Sequence, residues 1–201
     1  MYSIHLAEQK HYNAIFQIYK PFVTDTIISF ETLVPPKEEF NQRIDDTLVD
    51  LPWLVCLLEN EVIGYAYASK YRKREAYKWS AEVSVYIDPS YRRRNIATGL
   101  YTSLFSILEL QNYKNLLAGI SLPNEVSVFF HESMEFKKIA EYEKIGYKFG
   151  KWHSVGWWQK SIGQKISAPE EPILIQTLVN SDQFKIALNK GVAVVNNPHY
   201  L

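Results

Sequence analysis

Trp79-Ser80-Ala81-Glu82-Val83-Ser84-Val85-Tyr86-Ile87, followed by Asp88-Pro89 and then by Tyr91-Arg92-Arg93-Arg94-Asn95-Ile96-Ala97-Thr98, is the stretch on which the fold turns. The first nine residues alternate. Trp79, Ala81, Val83, Val85 and Ile87 share one face, and Ser80, Glu82, Ser84 and Tyr86 share the other, which is the period of a β-strand. Asp88-Pro89 ends it. From Asn95 onward Ile96, Leu100, Leu104 and Leu108 fall on one stripe, so a helix runs to about Leu110. A strand, a basic turn and a helix start together suit a phosphate group. The first helical turn presents unpaired N–H groups and the positive end of the macrodipole, and three arginines add charge there.

Working outward, residues 1–8 hold a short strand and residues 9–20 a helix that Pro21 breaks or kinks. Pro36 opens a second helix, Lys37 to about Leu48. Trp53–Leu58 and Val62–Lys70 are strands joined by the tight turn Glu59-Asn60-Glu61. Asn115–Leu122 reads as a buried strand, and Asn124 caps a helix to about Glu135. Strands follow near Lys137–Tyr142 and Trp152–Gln159. Beyond Gln164 the composition shifts: Pro169 and Pro172 mark a linker, 173–179 look strand-like, and Ser181-Asp182 caps a helix through Leu188 that Gly191 ends. The expected division is a domain of residues 1–163 and an extension, 164–201, for packing or dimer contact.

With 201 residues, 47% apolar and 22% charged, the chain has a globular composition and one full core. Its 22 basic and 22 acidic residues cancel, which argues against a nucleic-acid binder with a broad basic surface. The basic residues cluster instead at Lys70–Arg74 and Arg92–Arg94, as local anion sites. Cys56, the single cysteine, sits in an apolar run and reads as a buried thiol; nothing in the spacing points to zinc or another metal. No stretch has the length of a membrane span and no signal-peptide pattern opens the sequence, so the expected location is the cytoplasm.

Glu82 is the sharpest single residue, because a mid-strand carboxylate is costly if buried alone. It reads as a polar face or ion pair on one view and as a general base on the other; the adjoining loop favours the second, since ligands bind where strands end and helices begin. His131, on the helix after the next strand, is a candidate partner for it. Lys70–Tyr77 is a solvated basic loop or a clamp for an anionic substrate. Trp152-His153-Ser154-Val155-Gly156-Trp157-Trp158 packs a core or interface, or lines a pocket.

Arg-x-x-Asn-x-Ala at Arg92–Ala97 matches, with one change, the Gln/Arg-x-x-Gly-x-Gly/Ala pyrophosphate loop of the GNAT acetyltransferases. Leu51-Pro52-Trp53-Leu54-Val55, Gly64-Tyr65-Ala66-Tyr67-Ala68, Arg74-Glu75-Ala76-Tyr77-Lys78-Trp79-Ser80-Ala81-Glu82, Leu100-Tyr101-Thr102, Leu122-Pro123-Asn124, His131-Glu132 and Trp152–Gly156 follow in order. Over residues 1–160 the chain resembles the phosphinothricin and methionine-sulfoximine branch of that superfamily. The resemblance implies an α/β (α+β) fold, with a mixed, mostly antiparallel sheet, flanking helices and two splayed central strands. It implies direct acetyl transfer from acetyl-CoA to a small amino acid, with no metal, in a homodimer.

By the same resemblance Glu82 is the catalytic glutamate and His131 an assisting histidine. Val83, Val85, Tyr86, Ile87, Arg92, Arg93, Arg94, Asn95, Ile96, Ala97, Thr98 and Asn124 bind the cofactor, and Phe30, Arg72 and Arg74 border the substrate. The other readings are an acetyltransferase for peptide N-termini or aminoglycosides, and a non-catalytic acyl-CoA-binding domain. Four departures stand out. Asn95 replaces a loop glycine, Met134-Glu135-Phe136 loses another, Ser154 replaces an aspartate, and Ser29-Phe30-Glu31 stands where the herbicide-resistance enzymes have Asn-Phe-Arg.

Overall fold

A computed structural model describes residues 1–164 and 167–197. Residues 165–166 and 198–201 of the expected extension lie outside the described residues. The seven strands are β1 (Tyr2–Leu6), β2 (Trp53–Leu58), β3 (Glu61–Lys70), β4 (Ser80–Ile87), β5 (Asn115–Leu122), β6 (Lys137–Lys148) and β7 (Lys151–Ser161). They form one sheet in the order β1-β2-β3-β4-β5-β7-β6, antiparallel everywhere except between β4 and β5. The helices are α1 (Gln9–Thr24), α2 (Lys37–Asp50), α3 (Ile96–Leu110), α4 (Glu125–Ser133), α5 (Ile175–Leu178) and α6 (Asp182–Asn196).

Strand alternation sorts the core onto the two faces of the sheet. Trp53, Val55, Tyr65 and Tyr86 pack beneath α1 and α2 with Tyr12, Ile15, Tyr19, Phe22, Phe40 and Ile44. Leu54, Cys56, Ile63, Ala66, Ala81 and Val83 pack on the opposite face with Ile96, Leu100, Tyr101 and Leu104 of α3. Cys56 is fully buried, and burial pushes its thiol up to about 12.

Four expectations need correction. Pro21 does not end α1, because Phe22 and Val23 beyond it are buried against the sheet and its own carbonyl accepts from Asp25 N. The hairpin strands are longer than 137–142 and 152–159, reaching Lys148 and Ser161. Residues 173–179 are not a strand: Gln111 Nε2 holds the Ile173 carbonyl at 2.7 Å, and the single turn α5 drives Ile175 fully into the core. Gly191 does not end the last helix. It lies inside α6 because α6 crosses α3 there: a Cβ on Gly191 would stand 2.0 Å from the Gly99 carbonyl oxygen. Glycine at this position serves close approach, not a left-handed cap. Asn196 of α6 also accepts from Tyr2 N and donates to Tyr2 O, tying the last helix to the first strand.

Candidate active site

β4 and β5 pair only from Ser80–Glu82 to Asn115–Leu117. Beyond that they part. β4 continues on β3 to Ile87, and β5 continues on β7 to Leu122. The parting leaves the β4 backbone edge from Val83 to Ile87 without a strand on one side, a template for an extended ligand with amide groups. Val83, Val85 and Ile87 turn their side chains to the α3 core, and Tyr86 turns its ring to the α1 side. What these four offer the gap is therefore main chain.

Glu82 stands at the apex of the parting, on the α1–α2 side. Its strand neighbours place Ser69 opposite it, and Tyr67 opposite Ser84. Trp53, stacked on Tyr67 at 4.0 Å, and Tyr65, stacked on Tyr86 at 5.2 Å, floor this face. Among the described residues no donor bonds or pairs with the Glu82 carboxylate. Burial alone raises its pKa, which is the condition for a proton acceptor that works near neutrality.

The loop after β4 is built for an anion. Asp88 Oδ1 accepts from Ser90 N at 2.8 Å and sets the turn. Arg93 and Asn95 both take left-handed backbone, φ 60° and 57°. Asparagine is among the side chains that tolerate this conformation best, so it fills the glycine position without breaking the loop. The first bond of α3 runs from Gly99 N to Asn95 O, leaving the N–H groups of Ile96, Ala97 and Thr98 ahead of the helical ladder. Arg92, Arg93 and Arg94 are exposed around them, Arg94 over the Tyr91 ring. Asn124 caps α4 by accepting from Ser127 N at 3.2 Å, and it lines a cavity of about 360 Å³ at the end of β5 with Leu122, Val128 and Phe129.

His131 does not share the face of Glu82. It is buried on the α3 side, where its ring meets Tyr101, Phe130 and Phe136. Its Nδ1 lies 2.7 Å from the Ser127 carbonyl, which can only accept, so the proton sits on Nδ1. Nε2 then accepts from the Tyr101 hydroxyl at 3.1 Å. Burial holds the imidazole below its ordinary pKa, hence neutral. Burial raises the Tyr101 phenol well above its ordinary value, with smaller contributions from Tyr67 and then Glu82. Sequence reasoning missed Tyr101, since its place in an apolar helix marks it as core.

Arg72 and Arg74 lie in the β3–β4 connection. They line a cavity of about 280 Å³ with Lys73, Ser80, Tyr113 and Glu171–Leu174, and Glu82 and Phe30 are not among its walls. Arg72 stacks over Tyr71, and Tyr71 meets Trp157 of β7 at 6.0 Å. Trp157 lies over Gly119 on the Glu82 side, and its buried indole N–H has no hydrogen-bond partner among the described residues. Phe30, in the α1–α2 connection, rests on Gly146 of β6 beside His153. Glu31 is tied to Arg43 of α2 at 2.5 Å and accepts from the Tyr19 hydroxyl. Among the described residues no cluster of His, Cys, Asp or Glu forms a metal site, and no helix is long and apolar enough to cross a membrane.

A family model of the acetyltransferase (GNAT) domain matches residues 4–157. The chain belongs to the GNAT acetyltransferase family. The phosphinothricin N-acetyltransferase of Streptomyces viridochromogenes is 32% identical over 160 residues, 80% of this chain and 86% of the relative. The L-methionine sulfoximine/L-methionine sulfone acetyltransferase of Salmonella typhimurium is 27% identical, over 61% of this chain and 71% of that one. Among solved structures, a GNAT phosphinothricin acetyltransferase from Sinorhizobium meliloti in complex with acetyl-CoA superposes with a TM-score of 0.82 at 26% identity, covering 90% of this chain and 99% of that one. The protein is thus an acetyl-CoA-dependent GNAT N-acetyltransferase with the mixed sheet and flanking helices of that fold.

Proposed function

We propose that this acetyltransferase moves the acetyl group of acetyl-CoA to the α-amine of a small amino acid, of the methionine sulfoximine, methionine sulfone and phosphinothricin type, by direct attack. The observation that carries the reading is the half-buried Glu82 carboxylate at the apex of the β4–β5 parting, which no donor among the described residues bonds. An amine reaches the cleft as an ammonium ion without a free lone pair. Glu82 takes its proton, directly or through one water, and frees the nitrogen to attack the thioester carbonyl; the C–S bond then breaks, and the leaving CoA thiolate takes up the second proton that the nitrogen sheds as the amide forms. The β4 edge from Val83 to Ile87 bonds the pantetheine amides, and the N–H groups at Arg92–Thr98 hold the pyrophosphate. Asn124 sits beside that path. The Tyr101–His131 pair supports the site from the α3 side.

On the acceptor side, Tyr71 carries the Arg72 guanidinium toward Trp157, where it serves the α-carboxylate together with Arg74. Phe30 borders the acceptor from the Glu82 face of the sheet, over Gly146 and outside the cavity that Arg72 and Arg74 line. Arg43 bonds both Glu31 and Glu39, so this trio keeps one net negative charge. That charge favours the uncharged side-chain ends of methionine sulfoximine and sulfone over the phosphinate of phosphinothricin.

Residues 1–163 form the catalytic unit and 164–201 an extension, of which α5 and α6 pack against that unit. We also propose a homodimer: β6 leaves one edge unpaired, with Ile139, Tyr142, Ile145 and Tyr147 exposed along it. The location proposed with this reaction is the cytoplasm, where acetyl-CoA and free amino acids meet.

Glu82→Gln tests the reading. The variant is expected to bind acetyl-CoA normally and to lose about 10²–10⁴-fold in turnover on an amino-acid panel read by thiol release. Turnover near wild type, with chemistry rate-limiting, rejects Glu82 as the base. Activity confined to peptides or polyamines rejects the substrate class.

A further inference from the structure

Lys148, at the end of β6, is a buried lysine that the acetyl-transfer chemistry does not use. It is only 5% exposed. Among the described residues no carboxylate lies within ion-pair distance of it. Its ammonium donates instead to two carbonyl oxygens, Val23 and Ser29, both at 2.7 Å. Val23 O lies in the last turn of α1, at the negative end of the helix dipole, which favours a cation there. Ser29 O lies five residues past α1, in the segment leading to α2. One charge from a distant strand therefore clasps a helix end and the connection that follows it.

The same hairpin holds that connection twice more. The Phe30 ring occupies the space above Gly146 so closely that a Cβ there would stand 2.2 Å from its Cε2. His153 faces Phe30 at 6.4 Å, and its Nε2 bonds the Lys148 carbonyl at 3.0 Å. On the far side, Ser29 and Glu31 are held by Tyr19, and Glu31 by Arg43.

We infer that Lys148 is a positioning residue for the acceptor amine: by holding Ser29 it fixes Phe30 at the border of the cleft. The inference rests on the acceptor-site reading above, in which Phe30 lines the amine's site. A buried ammonium is costly to desolvate, and it is kept here where it satisfies two carbonyls that a hydrophobic residue would leave bare.

Lys148→Met is tested on whichever amino acid the wild type acetylates best, with hydrogen–deuterium exchange alongside. Losing two charged hydrogen bonds is expected to raise the acceptor KM about tenfold or more while the acetyl-CoA KM stays within about twofold. Faster exchange is expected over residues 25–34 and not in α3. An acceptor KM within about twofold of wild type overturns the inference, as does an equal rise in both KM values. Phe30→Ala separates this from the underlying reading. If it leaves the acceptor KM unchanged, Phe30 does not line the site and both fall; if it raises KM where K148M does not, only the role of Lys148 falls. Should K148M fail to fold, Gly146→Ala displaces the same ring without baring a carbonyl. It is expected to raise the acceptor KM selectively, and wild-type kinetics in G146A overturn the inference.

Discussion

Gly191→Ala gives two arguments opposite signs. Alanine is the better helix former by about 1 kcal/mol, so propensity alone makes the variant more stable. The α3–α6 crossing says otherwise. The new Cβ would lie 2.0 Å from the Gly99 carbonyl oxygen and 2.2 Å from Ser103 Oγ, against an ordinary separation of roughly 3.5 Å. The obstacle is backbone, which cannot rotate away, so the helices must part by more than an ångström. Overpacking of this kind costs about 1–3 kcal/mol, and the upper end applies to a backbone clash. Ser103 Oγ donates to Leu188 O at 2.7 Å across the same contact, and parting the helices weakens that bond by about 1 kcal/mol. After the propensity gain, roughly 2–3 kcal/mol of destabilisation remains, or about 5–10 °C in Tm for a chain of this size. Urea and thermal melts measure it, with Asn189→Ala on the exposed face of α6 as a control expected to be unchanged or more stable by about 0.5 kcal/mol from helix propensity. A G191A protein as stable as wild type, or more so, refutes the role given to the crossing.

Burial raises the Glu82 pKa and a base works only deprotonated, so kcat/KM for the acceptor should fall as pH drops through a value above the ordinary carboxylate range. A pH–rate profile without that limb, or with it in the ordinary range, rejects the argument; by linkage, Glu82→Gln should be no less stable than wild type at neutral pH. Asn95→Gly relieves a left-handed residue, so the acetyl-CoA KM should stay the same or fall, and calorimetry should show a stability change within about 1 kcal/mol. A large rise in that KM would show that the asparagine side chain holds the donor. Ile145→Glu on the open β6 edge should turn a dimer into a monomer by light scattering; a wild type that is already monomeric at micromolar concentration rejects the dimer.

The strand–loop–helix unit was legible because its signals are local. Alternation set β4, the apolar stripe set α3, and Asn95 and Asn124 each announced a backbone task that the structure shows them performing. What stayed hidden depends on partners far along the chain. Gly191 has the same letter whether it caps a helix or lets one helix touch another. Pro21 looks like a stop unless the buried residues after it are known to have a sheet to rest on. His131 and Glu82 lie on opposite faces of the sheet, and His131 is bonded to Tyr101 on the α3 side. Glu135 takes φ 67° where the family glycine was expected, with Lys160 on its carboxylate at 2.5 Å, a compensation invisible before the strands are placed.

The tie between Asn196 and Tyr2 also bears on how the protein comes into being. A ribosome releases β1 before α6, so the bonds between Tyr2 and Asn196 form only once α6 has emerged. Until then α3 lacks the helix that covers Gly99 and Ser103, and its apolar surface faces water. A chain halted shortly after β7 would hold all seven described strands while the α3 surface that α6 covers stays bare. Arrival of α6 covers that surface, so the α3–α6 contact is a late step in burying the core.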